Sequence, residues 1–137
     1  MPCIHIQTNQ KVSAEEEKSL REKFGEAISL FPGKSESWLM FLLEDDCRMA
    51  FQGKTEKPMA FVEIKLYGDV DKGASQKMTA RTCDLLKEIL GISSDQVYVR
   101  YEATENWGWN VSGVASIKLE ASKNSCPLIM RKFLIHF

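Results

Sequence analysis

The chain has 137 residues, of which 44% are apolar and 27% are charged, and its formal net charge is −1. This composition is typical of one globular domain with a buried core. The near-neutral charge argues against nucleic acid or an anionic membrane as a partner, and no apolar run approaches the roughly 18–20 residues of a spanning helix.

The N-terminus begins directly with a strand pattern, in which Ile4, Ile6 and Thr8 alternate with more polar residues. It lacks the basic region and apolar run of a signal peptide, so we expect a cytoplasmic protein. The four cysteines contain no CxxC spacing and only two histidines accompany them. We therefore predict reduced thiols, no metal site and no cofactor.

A helix is predicted after this strand. Ser13 and Glu16 have the spacing of a capping box, in which each residue satisfies a backbone N–H group of the other. The following apolar residues recur on one helical stripe, which comprises Leu20, Phe24, Ala27, Ile28 and Phe31. Pro32 and Gly33 are expected to stop the helix.

The second strand is predicted at 38–43, where every residue is apolar, so we expect it to be covered on both faces. Residues 44–57 are polar and rich in turn formers, with a short strand suggested around Met49–Gln52.

The same pattern then repeats. Residues 59–67 alternate as a strand, a helix is predicted from about Ser75 to Leu90, Gly91 ends it, and residues 97–101 alternate again. The chain is thus two strand–helix–strand units in tandem.

These units predict an α+β fold with two layers, in which a four-stranded sheet carries both helices on one face. The other face carries Glu63, Lys65, Arg100 and Glu102 among apolar residues. This face is too polar for a dry core and too apolar to stay bare, so we expect a subunit interface around a partly wet interior.

Five motifs occur in a fixed order along this frame: Met1-Pro2, Gln7-Thr8-Asn9, Gly33-Lys34, Val97-Tyr98-Val99 and Asn106-Trp107-Gly108-Trp109-Asn110. In this respect the chain resembles the macrophage migration inhibitory factor and D-dopachrome tautomerase family of the tautomerase superfamily. The resemblance implies a tautomerase domain over residues 1–114, followed by an extension, 115–137, of unassigned role.

The resemblance also implies a homotrimer, with three sheets wrapped into a barrel and active sites at the subunit boundaries. The implied activity is keto–enol tautomerisation of phenylpyruvate-like aromatic α-keto acids, without a cofactor. Vertebrate relatives are also cytokines, which would add a receptor as partner and secretion without a signal peptide.

Pro2 is the expected catalytic base. Once Met1 is removed, its secondary amine is free, and burial or a nearby cation favours the neutral form of such an amine. A neutral amine can take the acidic proton next to a carbonyl and return it elsewhere on the enol. The competing interpretation is a proline that merely starts a strand.

The substrate-binding residues follow from the resemblance. Lys34 is expected to bind the substrate carboxylate or carbonyl, Tyr67 to contact substrate through its backbone, and Tyr98 to be donated by the neighbouring subunit. Arg100 stands where the cytokine relatives carry asparagine. It suits a carboxylate-bearing substrate, or it pairs with Glu63 or Glu102 as a structural charge.

Three tryptophans, Trp38, Trp107 and Trp109, are expected to line the apolar part of the pocket, which would favour a planar aromatic substrate. The competing interpretation is core packing.

Two departures from the family pattern bear on function: the first argues against one activity, and the second, at Arg100, leaves another reaction open. The CxxC of the vertebrate cytokine is replaced by Pro58-Met59-Ala60-Phe61, so thiol oxidoreduction is not implied. The alternatives to a tautomerase are a signalling protein with a vestigial pocket, and another reaction of an N-terminal proline, such as hydration or dehalogenation, for which Arg100 is the argument.

Overall fold

The computed structural model describes residues 1–113, and the predicted extension 115–137 lies outside them. The described residues form two compact units: the first comprises residues 1–66 and 70–102, and the second comprises residues 67–69 and 103–113. The elements in chain order are β1 (Pro2–Thr8), α1 (Ala14–Ala27), β2 (Met40–Glu44), β3 (Ala60–Tyr67), α2 (Lys72–Leu90), β4 (Val97–Thr104), β5 (Gly108–Trp109) and β6 (Ser112–Gly113).

The predicted α+β fold is confirmed. A four-stranded sheet has the order β2-β1-β3-β4, in which β1 pairs in parallel with β2 and antiparallel with β3. The parallel connection between β1 and β2 runs through α1, as a crossover requires. The sheet is mixed because the two strand–helix–strand units meet through the antiparallel pair of β1 and β3.

Alternation along the strands separates two faces. Along β1 and β3 the buried residues alternate with half-buried ones, and the buried apolar residues include Ile4, Ile6, Val62, Ile64 and Leu66. Leu20 and Phe24 of α1 and Met78, Leu85 and Leu86 of α2 are also buried. This is the predicted helix-covered face, and we call the opposite one the open face.

Local signals set the helix ends. Ser13 Oγ accepts a hydrogen bond from Glu16 N at 3.1 Å, and Glu16 Oε1 accepts one from Ser13 N at 2.9 Å, which completes the predicted capping box. Gly91 caps α2 with a φ of +68°, a left-handed conformation that glycine adopts without a Cβ clash. The α-helical part of α1 ends at Ala27, earlier than expected, and one 3₁₀ turn over Ile28–Leu30 continues toward Pro32.

Strand β2 differs from the prediction that both of its faces are covered. Met40 and Leu42 are 64% and 45% exposed, because β2 is the outer strand of the sheet and both helices lie on the other face. The short strand expected around Met49–Gln52 is a single bridge between Phe51 and Lys54.

Candidate functional site

Pro2 begins β1 on the helix-covered face and is buried. Its pairing partner is Leu66 in β3, whereas Thr8, at the other end of β1, pairs with Ala60. A proline fits the first residue of a strand, since it lacks the N–H group that an interior position would need. The residue therefore sits at a defined end of the sheet, sheltered from solvent.

The thiol of Cys3, next to Pro2, is not activated as a nucleophile. Burial raises the pKa of Cys3, an effect that Lys65 opposes and Glu63 reinforces. A raised thiol pKa keeps Cys3 protonated at neutral pH, and the thiolate is the reactive form. Among residues 1–113, no group of three or more His, Cys, Asp or Glu side chains is arranged to hold a metal ion.

Lys34 and Trp38 lie in the loop that leads from α1 to β2. Since β2 runs parallel to β1 with Met40 opposite Cys3, this loop enters the sheet at the end where Pro2 begins. Gly33 has a φ of +77°, and Lys34 N donates a hydrogen bond to Phe31 O at 3.1 Å. The topology thus brings the Pro2 and Lys34 segments to one end of the sheet.

A glycine helps to hold this loop against α1. Gly25 is buried in the helix, and a Cβ at this position would overlap the carboxylate of Glu36. Glu36 begins the 3₁₀ turn that ends at Trp38, whose side chain is 47% exposed. Trp38 is therefore available for contact at the surface and is not a core residue.

Tyr98 lies at the opposite end of the sheet from Pro2 in the same chain. Its side chain is 62% exposed and borders a groove that also includes Ala60 and Phe61, at the start of β3. Pro2 pairs six residues further along β3, a separation of about 20 Å at the usual rise of a strand. One chain alone does not bring Tyr98 to its own Pro2.

Arg100 lies on the open face and is paired with two carboxylates. Its Nη1 atom donates to Glu102 Oε1 at 3.0 Å and to Glu63 Oε2 at 3.3 Å. The hydrogen bond to Glu102 is the main cause that raises the pKa of Arg100, so the guanidinium is charged. Its charge is thus already balanced by the two glutamates, in agreement with the structural role considered for it.

The same row of polar side chains continues across the sheet through His5 of β1. His5 Nδ1 lies 3.8 Å from Glu63 Oε1, and its Nε2 lies 3.4 Å from Glu44 Oε2. Gln7 Nε2 donates to the same Glu44 oxygen at 2.7 Å. Polar and charged side chains therefore form a connected row on the open face from β2 to β4.

Three predicted site residues belong to the second unit. Burial raises the pKa of Tyr67, and the charge of Glu105 raises it further, so the hydroxyl stays protonated at neutral pH. Trp107 is half-buried, and its backbone N–H donates to Glu105 O at 3.0 Å. Trp109 is 43% exposed and lies in β5, which pairs with β6 as a short hairpin.

The tip of this hairpin is strained. Asn110 and Val111 form a two-residue loop with φ values of +50° and +60°, and Val111 is 97% exposed. Such primed turns favour Asn or Gly at both positions, and a β-branched residue in this conformation is an outlier. The motif Asn106–Asn110 did not indicate this strain, which depends on the residue after it.

Replacing Val111 with glycine is expected to raise the free energy of unfolding by about 0.5–1 kcal/mol. Relief of the left-handed backbone conformation is worth about 1–2 kcal/mol, and the greater chain entropy of glycine offsets about half of it. Urea denaturation monitored by circular dichroism measures the change. Val111→Ala, which keeps a Cβ but removes the branch, should recover only part of the gain, and a destabilised Val111→Gly variant would contradict the argument.

Comparison with known proteins agrees with this architecture. The family model described as "Macrophage migration inhibitory factor (MIF)" matches residues 1–116. The macrophage migration inhibitory factor of Rattus norvegicus is 28% identical over 117 residues, which cover 84% of this chain and 100% of the rat protein.

Two solved structures extend the comparison to the fold. MIF2 of Leishmania major superposes with a TM-score of 0.75 at 26% identity, covering 80% of this chain and 94% of that one. The homologue from Prochlorococcus marinus gives a TM-score of 0.68 at 31% identity, with 80% and 96% covered. The resemblance carried by the sequence motifs is thus confirmed, and the chain belongs to the macrophage migration inhibitory factor family.

Proposed function

We propose that this protein is a homotrimeric keto–enol tautomerase that acts on phenylpyruvate-like α-keto acids, with the amine of Pro2 as general base. Membership of the family supports a tautomerase-like or MIF-like function in general. The observation that carries the specific proposal is the position of Pro2, buried at the first residue of β1 and at the end of the sheet where the Lys34 loop enters.

The base needs a free, neutral amine. In the printed sequence Met1 precedes Pro2, so the proline nitrogen is an amide until Met1 is removed. An α-amino group has an ordinary pKa of roughly 7.7–8.0, and burial favours its neutral form. The neutral nitrogen would then accept the proton from the carbon next to the substrate carbonyl. That carbon's electron pair would form the new C=C bond while the C=O π electrons move to oxygen. The protonated Pro2 nitrogen would then return its proton to this oxygen, which gives the enol and restores the neutral base.

The proposed substrate-binding residues are those that the family resemblance implies. Lys34 would pair with the substrate carboxylate through charge-assisted hydrogen bonds, and the backbone of Tyr67 would contact the substrate. The indole rings of Trp38, Trp107 and Trp109 would pack against the aryl group. A planar aromatic α-keto acid fits this combination of one cation with several aromatic side chains.

A homotrimer would complete the site. Tyr98 is too far from Pro2 of its own chain, so a neighbouring subunit would supply it. The exposed Met40 and Leu42 on β2 support an interface in that region, since apolar side chains are costly to leave in water. Arg100, on the same face, would be buried there with its charge already paired to Glu63 and Glu102. Cytoplasmic residence, with secretion that needs no signal peptide, remains part of the proposal.

Arg100→Ala is expected to change KM for phenylpyruvate by less than about threefold, because Glu63 and Glu102 already neutralise the guanidinium. Lys34→Ala is the informative comparison. It should raise KM by about 10- to 100-fold, because that factor corresponds to the binding free energy of hydrogen bonds to a charged group. Steady-state kinetics on both variants measures the contrast. A rise above tenfold for Arg100→Ala would instead assign substrate recognition to Arg100 and favour a hydratase- or dehalogenase-type reaction.

The proposal is tested by following phenylpyruvate enolisation with protein whose loss of Met1 has been verified by mass spectrometry. Protein that retains Met1 is the matched control, since it differs only in the acylated proline nitrogen. Activity confined to the processed form supports the proposal. Equal activity in both forms excludes Pro2 as the base, and no activity in either form would favour a signalling protein with a vestigial pocket.

A further inference from the structure

Tyr98 projects from β4 into a groove of about 170 Å³. The groove is mainly apolar, and its lining comprises Met49, Ala50, Phe51, Met59, Ala60, Phe61, Gln96 and Tyr98. An exposed tyrosine on a strand can rotate unless a neighbour restrains its ring, and here the neighbour comes from a loop.

Phe51 meets Tyr98 edge to face. The two ring centroids are 5.0 Å apart, and the ring planes are inclined by 79°. This T-shaped arrangement is one of the two favoured geometries for an aromatic pair, because the positive edge of one ring points at the negative face of the other. The contact therefore favours one orientation of the Tyr98 ring.

A tight turn places Phe51. Phe51 N donates to Lys54 O at 2.9 Å, and Lys54 N donates to Phe51 O at 3.0 Å. Gln52 and Gly53 between them have φ values of +55° and +77°, the signs that a type I′ turn requires. The turn projects from the loop of residues 45–59, which we call the anchor loop.

The first part of the anchor loop is fixed to the end of β1. Cys47 N donates to Thr8 O at 3.0 Å, and Asp46 N donates to Gln10 O at 2.9 Å. Asp45 Oδ2 accepts a hydrogen bond from Val12 N at 2.9 Å. The chain that leaves β2 is thus held against the segment that follows β1.

The last part of the anchor loop is fixed by the same segment. Thr8 Oγ1 donates to Met59 O at 2.8 Å, and Asn9 Oδ1 accepts from Met59 N at 2.9 Å. Asn9 Nδ2 also donates to Lys57 O at 2.8 Å. Side chains of Thr8 and Asn9 thereby substitute for strand pairing where β3 begins, and the loop has little freedom at either end.

We propose that Phe51 is a positioning residue for Tyr98, and that the hydrogen bonds of the anchor loop hold the Phe51 ring against the Tyr98 ring. The effect on substrate binding rests on the proposed function, in which Tyr98 completes the site of a neighbouring subunit. Phe51 itself does not need to touch substrate: it holds the Tyr98 ring in its binding orientation, so that less freedom is lost when substrate binds.

Phe51→Ala is expected to raise KM for phenylpyruvate by about 3- to 10-fold with kcat within twofold, since an aromatic pair contributes a factor of that size. Phe51→Tyr keeps the ring and should restore KM. Phe51→Leu retains an apolar side chain but no ring, and should behave like the alanine variant. Leu30→Ala, at an exposed position after α1, is the control and should leave both constants unchanged.

A second measurement reports on Tyr98 directly. The chain has three tyrosines, so 3-fluorotyrosine labelling gives three fluorine resonances, and Tyr98→Phe identifies the relevant one. Loss of the Phe51 ring should shift the Tyr98 resonance, whereas those of Tyr67 and Tyr101 should stay in place and thereby show that the fold is intact. Phe51→Leu serves for this experiment if the alanine variant does not fold.

An unchanged Tyr98 resonance in the ring-deleted variant would overturn the proposal, as would a KM within twofold of the parent in an active enzyme. If the parent shows no tautomerase activity, the proposed function fails, and the fluorine spectrum alone then decides whether Phe51 positions Tyr98.

Discussion

Pro2→Ala is expected to lower kcat/KM for phenylpyruvate enolisation by about 10²- to 10⁴-fold, the usual contribution of a positioned general base. The variant still offers an N-terminal amine after Met1 is removed, so the loss comes from the position of the nitrogen. In Pro2 the ring fixes φ and ties the nitrogen to the buried side chain, whereas the amine of an N-terminal alanine rotates about an open N–Cα bond.

The loss of kcat/KM must be distinguished from incomplete removal of Met1 in the variant. Mass spectrometry should show that Met1 is absent from both parent and variant, and circular dichroism should show equal helix content. The activity of the parent should also rise with pH as the amine loses its proton. A Pro2→Ala protein that retains more than a third of the parent's kcat/KM would exclude the proline as the base.

Much of the fold was predictable because its signals are local. The alternation around Ile4 and Ile6, the capping box at Ser13 and the left-handed stop at Gly91 each depend on a few neighbouring residues, and the structure confirms all three. Strand β2 was different. Its apolar residues indicate burial, but Met40 and Leu42 are exposed because β2 is an outer strand, and the position of a strand in the sheet cannot be predicted from its own residues.

The site was less predictable because its contacts are distant in sequence. Arg100 and Glu63 are 37 residues apart, and the residues that anchor Met59 precede it by about 50. The motif Gln7-Thr8-Asn9 served as a mark of family, and its physical role, holding the anchor loop, appears only in the hydrogen bonds. The sequence pattern suggested a short strand around Met49–Gln52 instead of this turn, and it did not identify Phe51.

The largest stability effect is expected for Phe24→Ala. Phe24 is completely buried in α1, and its ring packs against Phe41 of β2 with centroids 6.1 Å apart. Truncating a buried phenylalanine typically costs about 3–5 kcal/mol, because the transfer free energy is lost and a cavity remains. For a chain of this size the melting temperature should fall by about 10–20 °C, measured at one fixed protein concentration since an oligomer's stability depends on it.

Two comparisons make the result interpretable. Phe24→Leu fills most of the same space and should cost less than about 1.5 kcal/mol, whereas Leu30→Ala at an exposed position should have a smaller effect still. Equal destabilisation by Phe24→Ala and Leu30→Ala would mean that the α1–β2 contact contributes little to the core.

The same variant tests how the site is supported. Phe24 ties α1 to β2, and the loop between these two elements carries Lys34 and Trp38, so a loosened helix would also loosen the predicted substrate-binding groups. Well below its melting temperature, Phe24→Ala should therefore show a raised KM with little change in kcat, because Pro2 is held separately by the pairing of β1 with β3. An unchanged KM in a protein destabilised by several kcal/mol would mean that the loop is fixed by other contacts, of which the packing of Glu36 on Gly25 is the first to examine.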